Sequence, residues 1–355
     1  VARFGGDEFI VMLENLSDKT LEAATQAEAV ARKILSKLNQ PYMLETHEYL
    51  NSPSIGVTLF NNNESGADEV LKQADIAMYE AKKLGRNTLQ FFDPQMQSAI
   101  SAHVQMEKDL RIALQQQQFQ LYYQIQINAD GNAVGAEALI RWNHPEQGLV
   151  SPFKFIPLAE ETGLIIPLGQ WILETACAQL QAWQQDTRFQ HMTISINISA
   201  RQFHQADFSS RVLSAIQHYG IDPLRLKLEL TESILLNDIE DTIAKMNTLK
   251  QANVLFYLDD FGTGYSSLQY LRRLPLYQLK IDQSFTRDIV EDKNDEAIVR
   301  TIIAMANSLE LGVIAEGVET REQQQALLKM GCSNYQGYYF GKPVPIDQFE
   351  QALDA

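Results

Sequence analysis

The sequence predicts an α/β protein: a TIM-like (β/α)8 barrel preceded by a smaller α+β block. Three observations carry this. From Leu121 onward, short apolar runs alternate with helical stretches, giving about eight strands in roughly 235 residues. Most of these runs end in an acid or an amide, as expected where reacting groups sit at the carboxyl ends of barrel strands. Before Leu121 the pattern is different, with a Gly-Gly turn between apolar runs, two amphipathic helices and scattered short strands.

Taken in order, Val1–Leu13 (VARFGGDEFIVML) reads as strand, tight turn and strand, because Gly5-Gly6 can take the φ > 0 of a hairpin. A helix is expected over Thr20–Leu38, a short strand over Met43–Tyr49, a strand over Ser54–Phe60 and a helix over Ala67–Leu84, closed by Gly85-Arg86-Asn87. Phe91-Phe92-Asp93-Pro94 ends this block. Gln95–Gln117 is rich in glutamine, but Val104, Leu110, Ile112 and Leu114 give it an apolar side, so it reads as a packed linker helix. The expected division is therefore residues 1–94, 95–117 and 118–355.

In the barrel, LYYQIQI carries Gln124, AEALIRW carries Glu137, TISINIS carries Asn197 and KLELTES carries Glu229. LFYLDD carries Asp259 and Asp260, QLKIDQS carries Asp282, GVIAEGVE carries Glu316 and Glu319, and YQGYYF carries Gln336. Helices are marked at Ser151–Glu161 with Pro152 at its start, Leu168–Gln184, Asp207–Tyr219, Ile239–Gln251, Asp295–Leu309 and Arg321–Met330. An open doubly wound sheet is the alternative, but no glycine-rich phosphate loop follows the first strand to support it.

Composition narrows the function. The 355 residues are 45% hydrophobic and 21% charged, enough for a large core. A net charge of -16 argues against a nucleic-acid polymer as partner, though not against a small anion held through cations. Two unpaired cysteines, Cys177 and Cys332, give no thiolate metal site and fit a reducing, cytoplasmic setting. No run reaches the ~18–20 apolar residues of a membrane span, so no membrane contact is expected from this segment. The chain opens at Val1 inside a strand pattern, which reads as a fragment whose sensor or membrane anchor lies upstream.

The stretch LDDFGTGYSSL (Leu258–Leu268) organises the rest. Adjacent carboxylates repel unless something positive lies between them; alone, the pair could also be a solvated turn with Asp as helix cap. It is not alone. Glu137, Asn197, Glu229, Asp259, Asp260 and Glu316 give six oxygen donors at successive strand ends, with no His or Cys among them. Such a set favours Mg²⁺ or Mn²⁺ over zinc, and two ions would offset the acids while gripping a phosphate. Lys280, on the same strand face as Asp282, reads either as a group steering a nucleophilic water or as an interior lysine paired with an acid. Arg141 suits a phosphate oxygen through its planar fork.

These motifs resemble two families. FGGDEF, SIGVTLF and ADIAMYEAKKLGRN resemble the back half of a GGDEF (diguanylate cyclase) domain; the front half of its nucleotide site is not in this sequence, so a non-catalytic remnant is expected despite Lys82 and Arg86. EALIRW, NISARQF, ELTES, DDFGTGYSSL, KID, EGVET and QGYYFGKP occur in the order of the EAL-domain phosphodiesterases, which open cyclic di-GMP to linear pGpG. That resemblance implies a barrel whose first strand is antiparallel. It implies one metal on Glu137, Asn197, Glu229 and Asp259, and a second on Asp259, Asp260 and Glu316. Catalytic roles fall to Lys280, Glu316 and Asp260, and the substrate groove to Gln124, Leu139, Arg141, Asp282, Glu319 and Gln336. Thr231 and Glu232 would brace the DDFGTGYSS loop, which couples the metals to a homodimer interface; Ca²⁺ would bind but inhibit. Ile125 stands where the family usually has Pro, with little effect expected. A non-catalytic cyclic di-GMP receptor and an interaction scaffold are the competing functions.

Overall fold

The computed structural model describes residues 1–18, 20–44, 47–49, 51–60, 66–92, 94–232, 234, 239–262 and 271–353. It falls into two compact parts, Val1–Met106 and Glu107–Ala355.

In the first part, β1 (Ala2–Gly5) and β2 (Glu8–Ile10) form an antiparallel hairpin. The single strand expected over Met43–Tyr49 is two, β3 (Tyr42–Leu44) and β4 (His47–Tyr49), paired antiparallel. Folding back satisfies backbone groups that one isolated strand would leave unpaired. β5 (Ser54–Val57) runs parallel to β6 (Thr88–Phe91), with the helix Ala67–Lys83 between them in sequence. The strand β6 has no distinct alternation and was not anticipated. Among the described residues each of these three sheets is two-stranded, and Phe4 and Phe9 stand 68% and 64% exposed. The hairpin therefore covers no apolar face of its own.

A helix over Pro94–Gln115 leads into the barrel, with Leu110 and Ala113 fully buried. The strands are β7 (Phe119–Asn128), β8 (Ala133–His144), β9 (Gly148–Val150), β10 (Thr193–Ile198), β11 (Leu226–Thr231) and β12 (Leu255–Phe261). They continue with β13 (Gln278–Ile281), β14 (Gly312–Ala315), β15 (Asn334–Gln336) and the two-residue β16 (Val344–Pro345). The ring runs β7-β15-β14-β13-β12-β11-β10-β8 and closes through the β7–β8 pairing, while β9 and β16 hang on β8 and β7. Only β7 is antiparallel to its ring neighbours, β8 and β15, so LYYQIQI is the odd strand as the resemblance implied.

Alternation explains what the two faces of the ring do. Ile194, Ile196, Leu226, Leu228, Leu230, Phe256 and Leu258 are all at most 1% exposed. Their period-two partners Ser195, Lys227, Glu229, Tyr257 and Asp259 lie on the opposite face, which is the interior. The outer set packs against the apolar stripes of the helices Ile165–Gln184 and Ile239–Gln251, with the helix Phe208–Tyr219 packed against both of these helices. Each such side chain withdrawn from water contributes about 1.5–3 kcal/mol. That apolar shell is what permits a polar interior.

Candidate functional site

Strand register assembles the site. Asn197 on β10 stands beside Glu229 on β11, Thr231 on β11 beside Asp259 on β12, and Gln124 on β7 opposite Glu137 on β8. Gln336 on β15 pairs with Gln126 on β7. Glu316 follows the end of β14, its N–H donating to the carbonyl of Ile281 on β13 at 3.1 Å.

Lys280 is the hub, at 1% exposure. Its Nζ lies 2.5 Å from Glu229 Oε2, 2.5 Å from Glu316 Oε1, 3.2 Å from Asp259 Oδ1 and 3.6 Å from Glu137 Oε2. Burial works against its charge, but the four carboxylates overrule it and hold the ammonium well above its ordinary pKa. The acids divide by their donors. Burial pushes Glu229 up to about 8 against the opposing charge of Lys280, and the neighbouring Glu137 and Asp259 carboxylates add to the rise. Burial likewise raises Glu316 well above the carboxylate range and raises Asp259. Burial also acts on Glu137, yet Lys280 and the amides of Gln336 (2.5 Å) and Asn197 (2.6 Å) donating to it bring it below its ordinary value.

The adjacent acids are resolved by a bulge. On a regular strand Asp259 and Asp260 would face opposite sides of the sheet. The β12–β13 register slips between Leu258 and Phe261, and Asp260 takes φ +85°, a left-handed conformation costing about 1–2 kcal/mol in a non-glycine residue. Oxygens of Asp259, Asp260 and Glu316 thereby come within 4.8 Å of one another. Burial, then the charges of Asp259 and Asp282, push Asp260 up to about 6. Gly262 follows at φ +103°, where a Cβ would also meet the Phe285 ring at 2.9 Å. Its N–H donates to Glu232 Oε1 at 3.2 Å. Residues 263–270, the rest of the motif, lie outside the described residues.

A divalent cation fits this cluster. Four carboxylates share one ammonium with Asp260 close beside them, and among the described residues Glu229 Oε1 is buried without a hydrogen-bond partner. The donors are all oxygen, the preference of a hard ion.

The remaining expected residues lie around this centre rather than in it. Asp282 caps the helix Gln283–Arg287 by accepting from Ser284 N–H at 2.9 Å, and its charge faces Asp260. Arg141 lies two and four residues along β8 from the half-buried Leu139 and from Glu137, its guanidinium 5.4 Å over the Tyr122 ring. Gln124 donates to Gly341 carbonyl at 3.1 Å and accepts from Gln336 at 3.1 Å. Glu319 is exposed and stands outside the ion-pair cluster; its N–H donates to Gln323 Oε1 at 2.7 Å. Gly337 is required next to Gln336, because a Cβ there would meet Val318 carbonyl at 2.1 Å. Three interior residues were not anticipated: Gln126, Ser195 and Lys227, at 2%, 0% and 7% exposure. Polar residues at period two along β7, β10 and β11 were the available signal, two residues after Gln124 and two before Asn197 and Glu229.

With this geometry in view, the family comparison decides the membership. The EAL domain model matches residues 107–343. The chain belongs to the EAL-domain family. Ahead of its EAL barrel, residues 1–88 match the GGDEF domain of diguanylate cyclases. Over 349 residues the chain is 41% identical to the bifunctional diguanylate cyclase/cyclic di-GMP phosphodiesterase MucR of Pseudomonas aeruginosa, covering 98% of this chain and 50% of that protein. Over 351 residues it is 37% identical to the cyclic di-GMP phosphodiesterase PdeR of Escherichia coli, covering 99% of this chain and 52% of the other. This EAL chain thus spans about half the length of the curated relatives it matches. Among solved structures, the EAL barrel is similar to the PaMucR phosphodiesterase in complex with c-di-GMP, at 42% identity and TM-score 0.67, covering 69% of this chain and 99% of that one. The EAL enzyme Bd1971, bound to cAMP and cyclic di-GMP, aligns at 33% identity and TM-score 0.70 over 82% of this chain and 77% of its own. Among the described residues no helix is long and apolar enough to cross a membrane.

Proposed function

We propose that this chain hydrolyses cyclic di-GMP to linear pGpG, using two Mg²⁺ or Mn²⁺ ions, and that the GGDEF segment does not catalyse. The observation that carries this is the buried excess of carboxylate around Lys280, inside a barrel of the family among whose relatives is a protein named as a cyclic di-GMP phosphodiesterase. Glu137, Asn197, Glu229 and Asp259 would hold one ion, and Asp259, Asp260 and Glu316 the other. Bound there, the ions would supply Lewis-acid charge stabilisation and an acidified water. Lys280 steers the attacking water and holds the acids together, while Glu316, whose carboxyl burial raises well above the ordinary carboxylate range, can accept its proton. Gln124, Leu139, Arg141, Asp282, Glu319 and Gln336 form the groove, with Arg141 presenting its fork to a phosphate oxygen. Water adds across one phosphodiester bond; one P–O bond breaks and the freed oxygen leaves as a hydroxyl.

Incubation with cyclic di-GMP tests this by chromatography of products. The expected result is pGpG with Mg²⁺ or Mn²⁺, little with Ca²⁺, whose coordination is larger and looser, and no cyclic di-GMP made from GTP. Tight cyclic di-GMP binding without turnover would make the chain a receptor instead, and product from GTP would overturn the inactive GGDEF assignment.

Thr231 and Glu232 are proposed to brace the loop that begins at Gly262 and to couple the metal site to a homodimer interface. The Gly262 N–H to Glu232 Oε1 bond supports this. Glu232→Ala is expected to cost at least about tenfold in kcat, the scale of a positioning residue behind a metal site, with the circular dichroism spectrum unchanged. A fully active variant that is monomeric at assay concentration would refute the coupling.

A further inference from the structure

Beneath the acid cluster the barrel holds a second buried ammonium, Lys227. It sits two residues before Glu229 on β11, on the same inner face and level with Ser195. Among the described residues no carboxylate lies within ion-pair distance of it. Its Nζ donates to Gln126 Oε1 at 3.4 Å and lies 5.1 Å over the Tyr257 ring. Gln126 Nε2 in turn donates to Gln336 Oε1 at 2.9 Å and to Ser195 Oγ at 3.4 Å. Gln336 Nε2 donates to Glu137 Oε2 at 2.5 Å and to Gln124 Oε1 at 3.1 Å.

The two ends of this chain fix its sense. An ammonium can only donate and an ionised carboxylate can only accept, whereas an amide can turn over and do either. With Lys227 below, Gln126 must present its oxygen downward and its N–H upward; Gln336 must then do the same toward Glu137. Gln126 and Gln336 are 2% and 4% exposed, so bulk water offers neither an alternative partner. We propose that Lys227 is a positioning residue: through Gln126 it sets the orientation of the Gln336 amide on Glu137 Oε2, and so the presentation to a divalent cation of Glu137 Oε1, which accepts from Asn197 Nδ2 at 2.6 Å. The inference rests on the metal assignment made above, and concerns this chain's own hydrogen bonds rather than any titration.

The test is Mn²⁺ calorimetry on Lys227→Met, Gln126→Met and the double variant, with thermal melts of the metal-free proteins confirming folding. Each single variant is expected to weaken Mn²⁺ binding about tenfold or more, the usual cost of losing a group that orients a ligand. The double variant is expected to bind no more weakly than the worse single, because both changes cut one chain, and Lys227→Arg to recover most of the affinity. Wild-type affinity in Lys227→Met, or losses that simply add, would overturn the proposal. Should Lys227→Met not fold, Gln126→Met decides alone: affinity within about twofold of wild type would overturn it. Because Mn²⁺ binding is read without substrate, an inactive wild type would sink the phosphodiesterase assignment and leave this result standing.

Discussion

Asp259→Asn is expected to lower turnover of cyclic di-GMP by at least about a thousandfold, or ~4 kcal/mol in the barrier. Asp259 is the acid that reaches both sets of oxygens: Lys280 Nζ is 3.2 Å from its Oδ1, and its carboxylate lies within 4.8 Å of ligand atoms on Asp260 and Glu316. Asn keeps the shape and removes the charge, so under the proposed two-ion assignment a cation shared through this position would be lost, and with it the charge stabilisation it would supply. Asp260→Asn, at the more open end of the pair, should remove one ion and spare the other. Metal stoichiometry alongside turnover checks both variants. Two bound ions and less than about tenfold loss in Asp259→Asn would rule out the bridging assignment.

Lys280→Met is expected to lower kcat by about a hundredfold or more while leaving Mn²⁺ affinity equal to or tighter than wild type. The opposite sign on metal binding separates the two variants. Lys280 is the only cation within 4 Å of Glu137, Glu229, Asp259 and Glu316 among the described residues. Removing it leaves buried acids uncompensated, so the metal-free variant should lose on the order of 3–5 kcal/mol of stability, which bound Mn²⁺ restores. Thermal melts with and without Mn²⁺, together with single-turnover kinetics, provide the readout. A variant within about tenfold of wild-type kcat would remove Lys280 from the catalytic machinery.

Much of this was legible before folding, and the reasons are specific. The apolar runs from Leu121 onward name all eight ring strands, because a strand buried on its outer face must alternate and a crossover helix must follow. Glu137, Asn197, Glu229 and Asp259 stand out because acids and amides at strand ends need a partner to be worth placing there. Strand β6 and the hairpin split at β3 and β4 were not legible, since runs of three or four residues carry too little periodicity to register. Asp282 was expected in the groove, and the structure adds that it caps a helix while facing Asp260.

By itself the sequence determined the barrel, the acids and amides at its strand ends and the strand that carries each, because these follow from period and residue type along one chain. Two things needed the tertiary structure. One is the slip of register after Leu258, which carries Asp260 into φ +85° and turns two neighbouring acids toward one cluster; local sequence gives opposite faces to adjacent residues, and only pairing with β13 shows the extra residue. The other is the interior stack of Lys227, Gln126 and Gln336. Its members lie 101 and 210 residues apart in the chain, and they meet because closing the ring sets β7 between β8 and β15. Contacts made by ring closure carry no local periodicity, so no reading along the chain could have joined them.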